Sequence, residues 1–128
     1  MTLKIKYVTF SLFALLCSFN TLAQEDKKIV RLAKLVIDST QLESYKAFLK
    51  EEIETSVKVE AGVLTLYAVF EKKNPARVTI LEIYADTAAY KSHIKTPHFL
   101  KYKNGTANMV RSLELVEAEP LIPDMKIK

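Results

Sequence analysis

Glycine is scarce in this 128-residue chain and occurs only at Gly62 and Gly105. Loops that cradle a phosphate need several glycines, because the ligand must come close to the backbone. The chain also has no G-x-S-x-G segment, the pattern that exposes a nucleophilic serine. These absences exclude a nucleotide-binding glycine loop and a hydrolase of that type, so any flavin or nicotinamide would need a different kind of site.

Cysteine occurs once, at Cys17, inside an N-terminal segment typical of a secretory signal peptide. Lys4 and Lys6 precede an uncharged run over residues 7–19, and the small residue Ala23 precedes a charged boundary. We expect cleavage after Ala23, which would leave residues 24–128 as a single exported domain in the periplasm or cell envelope of a bacterium. The uncharged run is shorter than the about 20 residues that cross a membrane, so we expect no stable membrane span.

Lipid attachment at Cys17 is an alternative, although Leu16 stands where such signals usually have a small residue. If cleavage follows Ala23, the mature chain has no thiol, which excludes disulfides, thiolate catalysis and zinc–cysteine sites. Loss of Lys4 and Lys6 lowers the formal net charge from +4 to +2. The remaining basic residues are scattered among acidic ones, whereas a nucleic-acid surface needs a clustered basic stripe. We therefore expect no nucleic-acid partner.

Hydrophobic periodicity predicts four strands, over residues 29–37, 63–70, 77–84 and 109–116. A helix is predicted after the first strand, begun by a capping box of Thr40 and Glu43. Two short helices are predicted before the last strand, and Asn104-Gly105 is expected to close the second of them. The long helix has an apolar stripe made by Leu42, Tyr45, Leu49, Ile53 and Val57.

The order β-α-β-β-α-β predicts an α+β, ferredoxin-like domain with the helices on one face of an antiparallel sheet. The second strand, residues 63–70, is apolar on both alternating faces, so both sides of the sheet need cover. A chain of this length has no further helix for the second side. A second copy could cover it through a two-fold interface, which predicts a homodimer; the alternative is that the tail with Pro120 and Pro123 covers it.

Two histidines, His93 and His98, lie near the junction of the two short helices and can exchange protons near neutral pH. Either could instead cap or pack against a helix end. As metal ligands the pair is weak, because Pro97 breaks the helix between them and no third ligand is evident. We therefore expect no metal.

Glu82 and Tyr84 are two residues apart on one predicted strand, so both side chains point to the same face. A carboxylate in an apolar strand needs a partner, and a salt bridge to a neighbouring element would supply one. The domain is also rich in tyrosine. Most of these side chains are expected in the core or an interface, but one or two could line a pocket and bind a phenolic or carbonyl ligand.

Several short segments carry a family resemblance. The stretch Glu82-Ile83-Tyr84-Ala85-Asp86, then Ala89-Tyr90, His93 and Thr96-Pro97-His98-Phe99, resembles the signature of the antibiotic biosynthesis monooxygenase family, especially its small quinol-monooxygenase-like members. Glu60-Ala61-Gly62, Tyr67 and Asn74-Pro75 fall at matching places. The resemblance covers roughly residues 29–117.

This resemblance implies a dimeric α/β barrel with a pocket between sheet and helices. It also implies oxidation of a small quinol or phenolic substrate by O2 without a cofactor. His93 would act as the base and Glu82 would hold a nearby donor, while Tyr67, Tyr84, His98 and Phe99 would contact the substrate. Because one fold supports several functions, two alternatives stay open: a non-catalytic protein that binds a small molecule or haem, and an isomerase of a small carbonyl compound.

Overall fold

The structure, a computed structural model, describes residues 27–125. The predicted signal peptide and Cys17 lie outside these residues. The described strands are β1 (Ile29–Ile37), β2 (Val63–Phe70), β3 (Arg77–Tyr84) and β4 (Val110–Ala118). The described helices are α1 (Leu42–Val59), α2 (Thr87–His93) and α3 (Pro97–Thr106), with one 3-10 turn at Ser39–Gln41 before α1.

The sheet has the strand order β2-β3-β1-β4, and every neighbouring pair is antiparallel. With the helices on one face, this arrangement confirms the predicted α+β, ferredoxin-like fold. The core lies between the central strands and α1, because alternate strand residues turn their apolar side chains toward the helix. Its buried members are Ala33, Leu35, Ile37, Tyr45, Leu49, Val78 and Ile80.

The start of α1 differs from the predicted capping box. Asp38 caps the 3-10 turn that leads into α1, since its carboxylate accepts hydrogen bonds from Thr40 N at 3.0 Å and Thr40 Oγ1 at 2.7 Å. The N-cap residue of α1 itself, Gln41, makes no side-chain capping bond. Glu43 instead accepts a bond from Lys46 Nζ at 2.9 Å. The end of α3 also differs from the prediction, because the helix runs through Gly105 to Thr106. Gly105 has no Cβ, which lets the helix pass close to the Phe48 ring.

The buried stripe of α1 is rotated from the predicted one. Val57 is 51% exposed, and the buried positions are Tyr45, Leu49, Glu52 and Ser56. These four residues follow the i, i+4, i+7, i+11 spacing of one helix face. The rotation places a carboxylate and a hydroxyl, not only apolar groups, against the interior.

The other face of the sheet is open and largely apolar. In the pairing register Tyr67 is opposite Leu81, Leu81 is opposite Leu32, and Leu32 is opposite Val116, and paired residues share a face. Tyr67 is 65% exposed. The described tail does not shield this face, since Leu121 is 97% exposed. Cover by a second copy stays a prediction.

None of the helices formed by residues 27–125 combines the length and the apolar character needed to cross a lipid bilayer.

Gly62 joins α1 to β2 at a point of close approach to α2. A Cβ built on Gly62 would lie 2.5 Å from Ala89 Cβ, and Ala89 is held by its N–H bond to Asp86 Oδ1 at 2.7 Å. We expect Gly62→Ala to lower the free energy of unfolding by about 1–3 kcal/mol through overpacking, as measured by urea denaturation. The double variant Gly62→Ala/Ala89→Gly should recover part of this loss; additive losses would rule out the steric explanation.

Candidate functional site

A cavity of about 450 Å³ lies between the helices and the inner face of the sheet. Leu66, Ile80 and Leu35 contribute apolar wall from three strands, and Leu49 contributes from α1. Its size suits a small organic molecule. The lining residues with polar or charged side chains are Arg31, Glu52, Glu82, Tyr84, Tyr90, His93, Tyr102, Lys103 and Thr106.

His93 ends α2 and is 2% exposed. Its Nδ1 lies 2.9 Å from Glu60 Oε2, and Glu60 follows directly after α1. Its Nε2 lies 3.5 Å from Glu52 Oε1. Glu52 and His93 both line the cavity, and Nε2 is the ring nitrogen that Glu60 does not engage. A carboxylate on Nδ1 fixes the imidazole tautomer that leaves Nε2 able to accept a proton.

His98 approaches the same carboxylate from α3, with Nε2 2.7 Å from Glu60 Oε2. Thr96 makes this meeting possible: it is the N-cap of α3, and Pro97 starts the helix in a new direction. The two histidines therefore converge although the chain bends between them. Burial raises the pKa of Glu60, but the bonds to His98 and His93 outweigh this effect and hold its pKa below the ordinary value.

Glu52 is a second carboxyl beside His93. It is 5% exposed, and Ser56 Oγ donates to its Oε1 at 2.7 Å. Burial raises the pKa of Glu52 although Ser56 and His93 act in the opposite direction. A carboxyl group of raised pKa therefore lies 3.5 Å from an imidazole nitrogen, an arrangement that favours proton transfer.

Glu82 and Tyr84 do share one face, as predicted. Tyr84 Oη donates to Glu82 Oε2 at 3.2 Å. Glu82 is the cross-strand neighbour of Arg31, yet the ion pair of Arg31 is with Glu117. Burial raises the pKa of Glu82, and burial together with the Glu82 carboxylate raises the pKa of Tyr84.

The predicted site residues fall into two groups. Glu82, Tyr84, His93 and Phe99 line the cavity, and the Phe99 and His93 ring centroids are 5.0 Å apart. His98 lies behind His93, on Glu60. Tyr67 is not brought to this cavity, because its strand position turns it to the open face of the sheet; its contact with substrate stays a prediction.

Glu60, His93 and His98 could together hold a metal ion. One ligand atom from each residue lies within 4.8 Å of the other two, and two imidazoles with a carboxylate suit zinc and other first-row divalent metals. Glu60 is the third ligand that the sequence pattern had not revealed. In this structure the two histidines are hydrogen-bonded to the carboxylate.

Three site residues were missed by the sequence analysis: Arg31, Glu52 and Glu60. For Glu52 a signal existed, since it lies seven residues after Tyr45 and three after Leu49 on the buried face of α1. Arg31 alternates with Ala33 and Leu35 on the inner face of β1, which also could have marked it. Glu60 had no local signal, because its role depends on contacts 33 and 38 residues away.

Glu82→Gln is expected to raise the melting temperature at about pH 8 and to leave it nearly unchanged at about pH 4. A raised pKa means that the folded protein holds this proton more tightly than the unfolded chain. Stability is therefore lost as the pH rises above the ordinary glutamate value of 4.5, and a neutral amide removes that loss. Thermal denaturation at both pH values tests this, with the exposed Glu114→Gln as control. An equal effect at both pH values would contradict ionisation as the cause.

Comparison with known proteins agrees with the fold. The family model described as antibiotic biosynthesis monooxygenase matches residues 28–105. A crystal structure from Bacteroides thetaiotaomicron, assigned to the antibiotic biosynthesis monooxygenases, is 62% identical in sequence. The match covers 81% of this chain and 99% of that one, with a TM-score of 0.79.

More distant structures share the architecture. A Lactobacillus acidophilus protein assigned as a monooxygenase is 31% identical over 70% of this chain and 43% of its own, with a TM-score of 0.69. A Nitrosomonas europaea protein, 19% identical over 77% of this chain and 94% of its own, has a TM-score of 0.70 and supports the fold alone. None of the curated proteins compared matches this chain. The family-model match and the 62% identity together show that the chain belongs to the antibiotic biosynthesis monooxygenase family.

Proposed function

We propose that this protein is a monooxygenase that oxidises a small quinol or phenolic compound with O2 and needs no cofactor for the reaction. The observation that carries the proposal is the Glu60–His93 pair at the wall of an apolar cavity. His93 Nδ1 is 2.9 Å from Glu60 Oε2, and the ring borders the space where a substrate would bind.

The first step is removal of a phenolic proton by His93 Nε2. Glu60 orients the ring through Nδ1 and stabilises the imidazolium that forms, as a carboxylate does in other carboxylate–histidine pairs. The cavity wall is mostly apolar, so water is largely displaced when substrate binds. Electrostatic interactions between the phenolate and the imidazolium are strengthened in such an environment.

Oxidation then follows from the electron-rich phenolate. One electron passes from the anion to O2, and the resulting phenoxyl radical and superoxide combine at a ring carbon. The imidazolium returns its proton to the peroxide. The O–O bond breaks as the hydrogen on that ring carbon leaves, which gives a quinone and one water. Each substrate consumes one O2, and the two oxidised positions account for the four electrons that O2 receives.

Two carboxyl groups of the cavity wall, Glu52 and Glu82, assist these steps. The pKa values of Glu52 and Glu82 are raised chiefly by burial, and whichever of them carries a proton can donate a hydrogen bond to a developing oxyanion. Tyr84 Oη, bonded to Glu82, orients that carboxyl. Phe99 packs beside His93 and limits the plane in which an aromatic ring can enter.

The test is oxygen uptake by protein freed of metal with a chelator, across a panel of quinols and phenols with and without a carboxylate. We expect one O2 consumed per quinone formed, without accumulation of hydrogen peroxide. Release of peroxide in equal amount would indicate simple autoxidation, and absence of uptake across the panel would remove the assignment.

An isomerase of a small carbonyl compound is the second candidate. It is favoured by one observation: the imidazole of His93 and the carboxyl of Glu52 are 3.5 Å apart in the same cavity. Such a pair can move a proton between two carbon positions without oxygen. Turnover of an enolisable carbonyl compound under argon would support this candidate, whereas strict dependence on O2 would eliminate it.

We also propose that the protein is exported after removal of residues 1–23 and acts as a homodimer whose two sheets pack face to face. The open apolar face supports the dimer. N-terminal sequencing of the protein from the cell envelope tests the export proposal. A mature chain that begins at Gln24 is expected, and retention of Met1 or modification at Cys17 would contradict it.

A further inference from the structure

Arg31 is a largely buried cation at the cavity wall, and the steps proposed above do not use it. It lies on β1, one of the two central strands of the sheet. Its side chain is 11% exposed and lines the cavity. The guanidinium carbon is 4.4 Å from the centre of the Tyr90 ring. Stacking of this kind holds the planar group in one orientation.

The ion pair of Arg31 with Glu117 is open to exchange. Arg31 Nε donates to Glu117 Oε1 at 2.9 Å and Nη2 donates to the same oxygen, so Nη1 takes no part in the pair. The Glu117 side chain is 70% exposed, and β4 is an edge strand of the sheet. An exposed carboxylate loses little when it returns to water, so a ligand anion can replace it on the guanidinium.

The other ionisable groups of the cavity do not compensate for Arg31. Glu52 is hydrogen-bonded to Ser56 and Glu82 to Tyr84, whereas the ion pair of Arg31 is with Glu117. Lys103 adds a second cation at the wall. A ligand that fills the cavity therefore meets a positive charge at one side. If Glu117 leaves Arg31 for water, the guanidinium needs a new anionic partner, because a buried charge without one is costly.

Arg31 and His93 occupy separate parts of the wall. The His93 and Tyr84 ring centroids are 5.3 Å apart, and those of Tyr84 and Tyr90 are also 5.3 Å apart, with Arg31 beyond Tyr90. The two functional groups are thus separated by a pair of tyrosine rings. One aromatic ligand can reach both only if it carries a hydroxyl at one end and an anion toward the other.

We infer that the cavity accepts a phenolic substrate that also bears a carboxylate, and that Arg31 binds this anion. The inference rests on the proposed function, because that function places the phenolic hydroxyl at His93. It narrows the substrate class from quinols and phenols in general to hydroxylated aromatic acids.

Isothermal titration calorimetry with 2,5-dihydroxybenzoate and its methyl ester tests the inference under anaerobic conditions. The acid should bind the unmodified protein about 10- to 100-fold more tightly than the ester, the range expected for charge-assisted hydrogen bonds. Arg31→Gln should abolish this preference while leaving the affinity for the ester unchanged. Arg77→Gln, which removes an exposed arginine of β3, is the matched control and should keep the preference.

Two further variants guard against loss of folding in Arg31→Gln. Arg31→Lys keeps the charge without the planar fork and should keep part of the preference. Glu117→Gln leaves Arg31 intact but removes the competing carboxylate, so it should strengthen binding of the acid several-fold and leave binding of the ester unchanged. Equal affinity for acid and ester, preference retained in Arg31→Gln, or binding of neither compound would overturn the inference.

Failure of the role inferred for Arg31 can be distinguished from failure of the proposed function. Preference for the acid without any O2 uptake would leave Arg31 as an anion site and would remove the monooxygenase assignment. Uptake with neutral quinols but no preference for the acid would overturn the role of Arg31 alone.

Discussion

His93→Gln is expected to lower kcat/KM for quinol-dependent O2 uptake by about 10²- to 10⁴-fold, the usual contribution of a positioned general base. Glutamine occupies a similar volume and can still bond Glu60, but it cannot take a proton from a phenol. The effect should fall on kcat more than on KM, because the base acts mainly in the transition state. Initial rates with an oxygen electrode at several substrate concentrations measure both constants.

The control is Lys91→Ala, which changes an exposed residue of the same helix, α2, and should leave the rate unaltered. Thermal denaturation of His93→Gln shows whether the fold persists, since His93 is only 2% exposed. Raising the pH should partly restore the rate of His93→Gln, because a phenol that ionises in solution no longer needs the base. A rate equal to that of the unmodified protein would exclude His93 as the base.

Leu81→Glu is expected to convert the predicted dimer to a monomer at micromolar concentration. Leu81 lies near the middle of the open face, between Tyr67 and Leu32 in the register. Burial of an unpaired carboxylate at the centre of an interface costs several kcal/mol, and every 1.4 kcal/mol is about tenfold in the dissociation constant. Native mass spectrometry or light scattering after size exclusion measures the subunit number.

Leu100→Glu provides the matched control. Leu100 is 40% exposed on α3, away from the open face of the sheet, so the same change there should leave the dimer intact. A well-folded monomer formed by the unmodified protein would contradict the face-to-face arrangement. A dimer that persists in Leu81→Glu would place the interface elsewhere.

Most of the fold was accessible from the sequence because it is encoded in local patterns. The strand β2 matches its predicted limits, and it places apolar residues on both faces of the sheet, as predicted. The rotation of the α1 stripe was not accessible in the same way. Either Val57 or Ser56 can continue the inward-facing stripe of the helix begun by Tyr45 and Leu49. Which of the two is buried depends on where α3 and the sheet lie.

The candidate site was predicted only in part. Glu82 and Tyr84 could be paired because their spacing of two on a strand fixes a common face. Tyr67 has an equally suggestive position, yet the strand register turns it away from the cavity. The difference between these tyrosines is one of strand pairing, which no local pattern contains.

Local sequence thus specified the order of the elements, the two apolar sides of the sheet and the presence of two histidines near one bend, since each depends on neighbours within a few residues. It did not specify that Glu60 would join those histidines, or that Arg31 would face the same cavity as Glu52. These contacts link positions far apart in the chain and form when the end of α1 packs beside the junction of α2 and α3. Long-range packing, which balances many weak interactions at once, therefore created the site.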